Sequence, residues 1–163
     1  MSGVYLSKIW NKNKEYGKLF SDAQKNHFAP DEIPIACLTG NKDDTMKFYI
    51  MILTNRRVIL FGRLFGEEFE AYPYEKITNV ESYKGLILGR ITINATGTSV
   101  KYNNMQLEDV DYAAQIIREK IEESRNKEKV EVVNDDPLKI LKVRYAKGEI
   151  SKEEYEDIKK DLI

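Results

Sequence analysis

Residue types on which most catalytic and metal sites depend are scarce in this chain of 163 residues. It has one cysteine, Cys37, and one histidine, His27, so an internal disulfide is excluded and clustered His and Cys metal ligands are missing. The same scarcity removes most pairings of a nucleophile with a base. We therefore expect no catalytic residues, no metal site, no cofactor and no enzymatic activity.

Long apolar runs are missing as well. The mean hydropathy is -0.52, and no run approaches the roughly 18 residues that a membrane-spanning helix needs. The first residues show no basic stretch followed by an apolar one, so no secretory signal is expected. Together with the one cysteine, which fits a reducing compartment, these observations predict a cytoplasmic protein.

A strong charge of either sign is also absent, because 26 basic and 27 acidic residues give a net charge of -1. Nucleic-acid binding usually requires a dense field of Lys and Arg, so we expect no nucleic-acid partner. The charge is unevenly spread, with +3 on residues 1–29 and -4 on residues 107–163. This imbalance is small, but its direction is compatible with self-association or docking.

Short apolar runs separated by turn residues fill the region from about Ile33 to Asn103. Their Val, Ile, Tyr, Phe and Thr content is typical of half-buried strands. About seven strands at close spacing indicate an antiparallel barrel or sandwich. The predicted strands are residues 33–38, 48–53, 58–61, 69–74, 77–83, 86–95 and 98–102.

Helical periodicity appears on both sides of this region. Residues 1–29 contain spaced apolar positions that predict one or two amphipathic helices, ended by Pro30 and Pro34. A clearer helix is predicted from Leu107 to about Arg125, with an apolar stripe that would close the barrel. The stripe consists of Leu107, Val110, Ala114, Ile117 and Ile121. We assign the main domain to residues 30–127, and we expect a charged linker over residues 128–135.

Two short helices joined by a glycine turn are predicted for residues 136–163. Asp136 is placed as the N-cap before Pro137, and Gly148 as the left-handed end of the first helix. Ser151 and Glu154 have the spacing of a capping box. A hairpin of this length buries too little apolar surface to be stable alone, and we expect it to need a partner. That partner is the main domain, another copy of the chain or a foreign protein. The residues expected to contact that partner are Leu138, Leu141, Tyr145, Ile150, Tyr155, Ile158 and Leu162.

This tail resembles a SHOCT domain, the short C-terminal domain of many prokaryotic and phage proteins. The family more often has Thr at the position of Ser151 and Phe at that of Tyr155, and both departures are conservative. The matching positions are Leu138, Leu141, Gly148, Ile150, Ser151, Glu154, Tyr155, Lys159 or Lys160, Leu162 and Ile163.

The preceding region, with Leu-Thr-Asn-Arg-Arg-Val-Ile-Leu-Phe at residues 53–61 and its final helix, is similar to bacterial pleckstrin-homology (PH) domains of the YokE-like type. The resemblance implies an α+β fold: a bent seven-stranded antiparallel sheet plugged at one end by the helix. Members of that family have inferred binding or assembly roles and offer no catalytic residues to carry over.

Two interpretations of the surface stay open. Arg56, Arg57 and Arg63, with Leu64 and Phe65, form a candidate basic and apolar lip for anionic lipid or a small ligand. The plainer interpretation is that these arginines pair with nearby carboxylates such as Glu67 and Glu68.

The preferred expectation is a non-catalytic interaction protein that forms a homo-oligomer through its C-terminal hairpin. The alternative is a peripheral membrane or small-ligand module that uses the lip.

Overall fold

The computed structural model describes residues 3–43, 49–63, 66–133 and 137–161, and the fold is α+β as predicted. The chain divides into two compact units, Met1–Ser124 and Arg125–Ile163, with the boundary inside a helix. The described strands are β1 (Tyr5–Leu6), β2 (Pro34–Lys42), β3 (Tyr49–Thr54), β4 (Arg57–Arg63), β5 (Glu67–Pro73), β6 (Ile77–Lys84), β7 (Leu88–Ala95) and β8 (Thr98–Gln106). The described helices are α1 (Lys14–His27), α2 (Leu107–Val133), α3 (Pro137–Ala146) and α4 (Lys152–Asp161).

Strands β2 to β8 form one antiparallel sheet in the order β5-β4-β3-β2-β8-β7-β6, which confirms the seven predicted strands. β2 is longer than predicted and runs through residues 39–42, which the sequence had suggested as a turn. The additional strand β1 pairs in parallel with Ala36 and Cys37 of β2. It was not predicted, because two residues are too few to show a period of two.

The sheet bends sharply along β2. This strand pairs with β3 from Pro34 to Gly40 but with β8 only through Asn41 and Lys42. Gly40 lies at the bend, where a side chain would collide with β8: an added Cβ would lie 2.6 Å from the Tyr102 ring and 2.6 Å from the Asn103 carbonyl oxygen. Glycine at this position therefore permits the two halves of the sheet to approach each other.

The inner face of the bent sheet is filled by side chains and closed by α2. Four of the five predicted stripe residues of this helix, Val110, Ala114, Ile117 and Ile121, are buried against the sheet. Leu107 is only half-buried. The predicted role of the helix as a plug is thus confirmed. The largest fully buried side chains of the inner face are Tyr102, Leu38, Met51, Leu53, Leu60, Ile91, Ile93 and Met105.

The helix α2 continues to Val133, well past its predicted end near Arg125. The predicted linker, residues 128–135, is therefore helical as far as Val133. The charged run beyond Ile121 shows no apolar stripe, but Glu, Lys and Arg are good helix formers in their own right. Periodicity alone consequently placed the end of this helix too early.

The outer face of β2, β3 and β4 is covered by the N-terminal segment, so β3 is buried on both faces. α1 packs Leu19, Phe20 and Ala23 against this face, together with Trp10 from a preceding short turn of 3₁₀ helix. The prediction of a helix in this segment is confirmed. Cys37 is buried beneath it, and burial raises the pKa of its thiol to about 12.

The C-terminal unit contains the predicted pair of helices. Gly148 adopts a left-handed conformation with φ of 73°, and its N–H donates to the Tyr145 carbonyl. The backbone N–H of Ser151 donates to the Glu154 carboxylate at 2.8 Å, and the Glu154 N–H donates to Ser151 Oγ at 3.2 Å. The capping box and the glycine cap are therefore confirmed, whereas Asp136 lies outside the described residues.

Candidate functional site

The β3–β4 turn, which carries the Leu-Thr-Asn-Arg-Arg motif, is held together by a buried carboxylate. Glu32 Oε1 accepts a hydrogen bond from Thr54 Oγ1 at 2.9 Å, and both Glu32 oxygens accept from the Arg57 guanidinium at 2.7–2.8 Å. The side chain of Glu32 is 0% exposed and that of Arg57 is 23% exposed. Arg57 also donates to the His27 carbonyl at 2.7 Å, so it joins the end of α1 to the turn.

The balance of forces on Glu32 favours its ionised form. Burial raises the pKa of this carboxyl, but hydrogen bonds from Arg57, the Ala29 N–H and Thr54 outweigh burial and lower the pKa below its usual value. The charge of Arg57 is thus compensated inside the protein.

The other two arginines of the candidate lip also pair with carboxylates. Arg56 contacts Asp31 at 2.7 Å, and Arg63 contacts Asp22 at 2.9 Å and Glu67 at 2.7 Å. The contact with Glu67 agrees with the plainer interpretation of these arginines.

Leu64 and Phe65 lie outside the described residues, so the lip remains a prediction. Its three described members already have intramolecular partners, and an anionic ligand would have to compete with them.

The N-terminal segment is anchored to the start of α2 by a second buried carboxylate. Asp109, which is 0% exposed, accepts hydrogen bonds from Ser7 Oγ at 2.5 Å and Tyr5 Oη at 3.0 Å. The Tyr5 ring also stacks on Tyr112 with centroids 4.0 Å apart. Burial raises the pKa of Asp109, and the hydrogen bonds from Ser7 and Tyr5 offset this only in part. Residues 5–7 are therefore a packed part of the unit Met1–Ser124 and not a free arm.

The predicted partner-contact residues of the C-terminal hairpin fall into three groups. Leu141 is buried, with 4% exposure, and Tyr145 and Ile158 are exposed at 42% and 39%. The half-buried group is Leu138, Ile150 and Tyr155. The Tyr155 ring lies against the Tyr145 ring with centroids 5.0 Å apart. Leu162 lies outside the described residues, and the contact role of the whole set remains a prediction.

The hairpin also exposes apolar residues that were not predicted as contacts. Ile140 and Val143 of α3 are 39% and 46% exposed. An open depression on this unit is lined by Pro137, Ile140, Leu141, Arg144 and Ile158. Pro137, Ile140 and Leu141 have the spacing i, i+3, i+4, so the sequence contained a short helical signal for this lining, which the charged Arg144 at i+7 does not continue.

A second exposed apolar patch lies at the turn between β6 and β7. Leu86 is 100% exposed and Ile87 is 80% exposed. Both had been assigned to a predicted strand over residues 86–95, but the strand begins at Leu88. The prediction was wrong at this end because a Leu-Ile-Leu run has the composition of a strand. In the structure, the Gly85 N–H donates to the Leu88 carbonyl at 3.0 Å, and this hydrogen bond closes a turn.

Two further properties bear on the kind of site that is present. Among the described residues, no group of three or more His, Cys, Asp or Glu side chains is placed to hold a metal ion. None of the described helices has both the length and the apolar character that crossing a lipid bilayer requires.

Comparison with known families finds two matches along the chain. Residues 28–119 match the family of bacterial PH domains, and residues 136–163 match the short C-terminal domain family, SHOCT. None of the curated proteins matches the chain.

Two crystal structures from Shewanella are similar in part. The PH domain from Shewanella amazonensis SB2B has 14% identity and a TM-score of 0.48, over 65% of this chain and 97% of that one. A DUF1696 family protein with a PH domain from Shewanella loihica PV-4 has 17% identity and a TM-score of 0.41, over 64% of this chain and 94% of that one.

Proposed function

This chain belongs to the family of bacterial PH domains and also carries a short C-terminal domain, and we propose that it is a non-catalytic assembly protein. In this proposal the PH domain is a rigid scaffold, and the C-terminal hairpin contacts the same hairpin of a second copy. The low content of Cys and His is our reason for placing it in the cytoplasm without a catalytic role.

The observation that carries the proposal is the exposed hairpin face, which we define as Ile140, Val143 and Ile158: Ile140 and Ile158 line the same depression, and Val143 is one helical turn from Ile140 on α3. Each of these side chains is between 39% and 46% exposed. Apolar residues on a helix pair of this size usually need cover from another surface. Only Leu141 of the described hairpin residues is fully buried. A complementary surface on a partner would therefore remove several large apolar side chains from water.

Charge favours a second copy as that partner. α3 carries three basic residues and no acidic one, whereas α4 carries five acidic and three basic residues. A two-fold arrangement would place α3 of each copy beside α4 of the other, so that opposite charges border the apolar contact. In such an arrangement each copy supplies the same patch, as closed dimers require.

The unit Met1–Ser124, called the PH-like unit from here on, supports a scaffold role. Its inner face is filled by fully buried side chains and plugged by α2. Its N-terminal segment and its β3–β4 turn are each fixed by a buried carboxylate. Such a unit would hold its surface turns in fixed positions.

The test is light scattering of the full-length chain and of the variant I140S/V143S, over a range of protein concentrations. We expect the wild type to form a defined oligomer and the variant to shift toward the monomer. The control variant I33S replaces an apolar residue that is 63% exposed on the other unit, and it should keep the wild-type mass. A wild type that stays monomeric at high concentration would refute the proposal.

A further inference from the structure

We propose that the β6–β7 tip, defined as residues 83–90, inserts into the interface of an anionic lipid bilayer. Leu86 and Ile87 are the most exposed large apolar side chains of the described residues, at 100% and 80%. They occupy the apex of the turn closed by the hydrogen bond from Gly85 to Leu88. This inference does not depend on the assembly role of the C-terminal hairpin.

The side chains of the tip change from apolar at the apex to aromatic and cationic behind it, which is the order that a bilayer interface requires. Behind the apex, Lys84 pairs with Gly89, and the next rung pairs Tyr83 with Arg90. With a rise of about 3.3 Å per residue, the Tyr83–Arg90 rung lies roughly 7–10 Å behind the apex. Peripheral elements bury their apolar residues about 5–10 Å into the headgroup boundary, where Tyr is enriched. The apex would thus reach the acyl chains while Tyr83 stays at headgroup level.

The cationic groups of the tip are placed where they could contact the phosphates of lipid headgroups. The Arg90 guanidinium lies 4.8 Å from the centre of the Tyr83 ring, and within the described residues it forms no ion pair with a carboxylate. Lys84 contacts Asp111 at 2.8 Å, but both side chains are about half exposed or more. Arg90 therefore offers an uncompensated charge at the depth of the lipid phosphates.

The size of the patch argues for lipid and against a protein partner. A stable protein interface buries about 800 Å² on each side. Two aliphatic side chains at the end of a two-stranded hairpin cannot supply such an area. Reversible attachment to a membrane needs only a few apolar side chains together with attraction to anionic headgroups.

The first test is co-sedimentation of the full-length chain with vesicles. We expect binding to vesicles of equal parts phosphatidylserine and phosphatidylcholine, and weaker binding to phosphatidylcholine alone. L86S/I87S should lower the partition coefficient by at least ~10-fold, since both side chains lose their apolar transfer energy. R90Q should weaken binding to the anionic vesicles and leave the phosphatidylcholine value unchanged. The control variants I33S and I140S/V143S should have the wild-type partition coefficient, calculated per monomer and measured at low protein concentration.

The second test locates the inserted residue. Tryptophan emission of I87W should shift to shorter wavelength when anionic vesicles are added, whereas T98W, at the exposed turn that begins β8, should not shift. Absence of vesicle binding by the wild type, or equal binding by L86S/I87S, would overturn the proposal. A lower oligomeric mass of L86S/I87S, without any vesicle binding, would instead identify the tip as a contact between copies and would also overturn it.

Discussion

Removal of the Glu32 carboxylate should destabilise the PH-like unit strongly. The Glu32 side chain is 0% exposed and receives hydrogen bonds from Arg57, Thr54 and the Ala29 N–H. Glu32→Ala leaves the guanidinium of Arg57, which is only 23% exposed, without its carboxylate. Breaking a buried ion pair in this way costs about 3–5 kcal/mol of unfolding free energy.

The chain offers a matched control one residue away. Asp31 pairs with Arg56 at 2.7 Å, but these side chains are 76% and 51% exposed. Water screens such a pair, so Asp31→Ala should cost about 0–1 kcal/mol. The two variants therefore compare neighbouring ion pairs of similar length that differ mainly in burial.

Urea unfolding followed by tryptophan fluorescence is the assay for both variants. Trp10 is the chain's one tryptophan and is 4% exposed beside α1, so its emission reports on the PH-like unit. The lowered pKa of Glu32 means that its contribution is present above the ordinary carboxyl pKa and is lost as the pH falls through the lowered value. Equal losses for Glu32→Ala and Asp31→Ala at neutral pH would refute the assignment of a buried, structural ion pair.

Two other predictions concern buried groups of the same unit. Because burial raises the pKa of Asp109, its contribution to stability is complete below the ordinary carboxyl pKa and is lost as the pH rises through the raised value. The stability of the wild type relative to D109N should therefore decline as the pH rises from below the ordinary carboxyl pKa to neutral in urea titrations, and a constant difference would contradict this. Cys37 is buried with a pKa of about 12, so a thiol reagent at neutral pH should modify it only at the rate of unfolding. Rapid labelling of the native protein would show that α1 does not cover β2 as described.

The regular elements were predictable because local patterns encode them. The strands from Ile33 to Asn103 are short runs of β-branched and aromatic residues interrupted by turns. α2 shows a stripe at intervals of three and four from Val110 to Ile121. The Gly148 helix cap and the Ser151–Glu154 capping box could be assigned because each motif depends on residues that are close in sequence.

The contacts of the two buried carboxylates and the exposure of the β6–β7 turn were not predictable. The carboxylate contacts join residues far apart in sequence, and the exposure depends on turn geometry. Arg57 and Glu32 are 25 positions apart, and nothing in the local sequence distinguishes Arg57 from the more exposed Arg56. Asp109 meets Ser7 across 102 positions. Leu86 and Ile87 have the composition of strand residues, and their exposure follows from the closure of the turn between Gly85 and Leu88.

The proposed assembly role is tested most directly by the absolute molar mass of the full-length protein in solution, measured beside that of I140S/V143S. The account predicts a stable multiple of the 19.0 kDa chain for the wild type and a mass that falls toward the single chain for the variant. Identical masses for the two proteins at every concentration would contradict the claim that the exposed hairpin face joins copies of the chain.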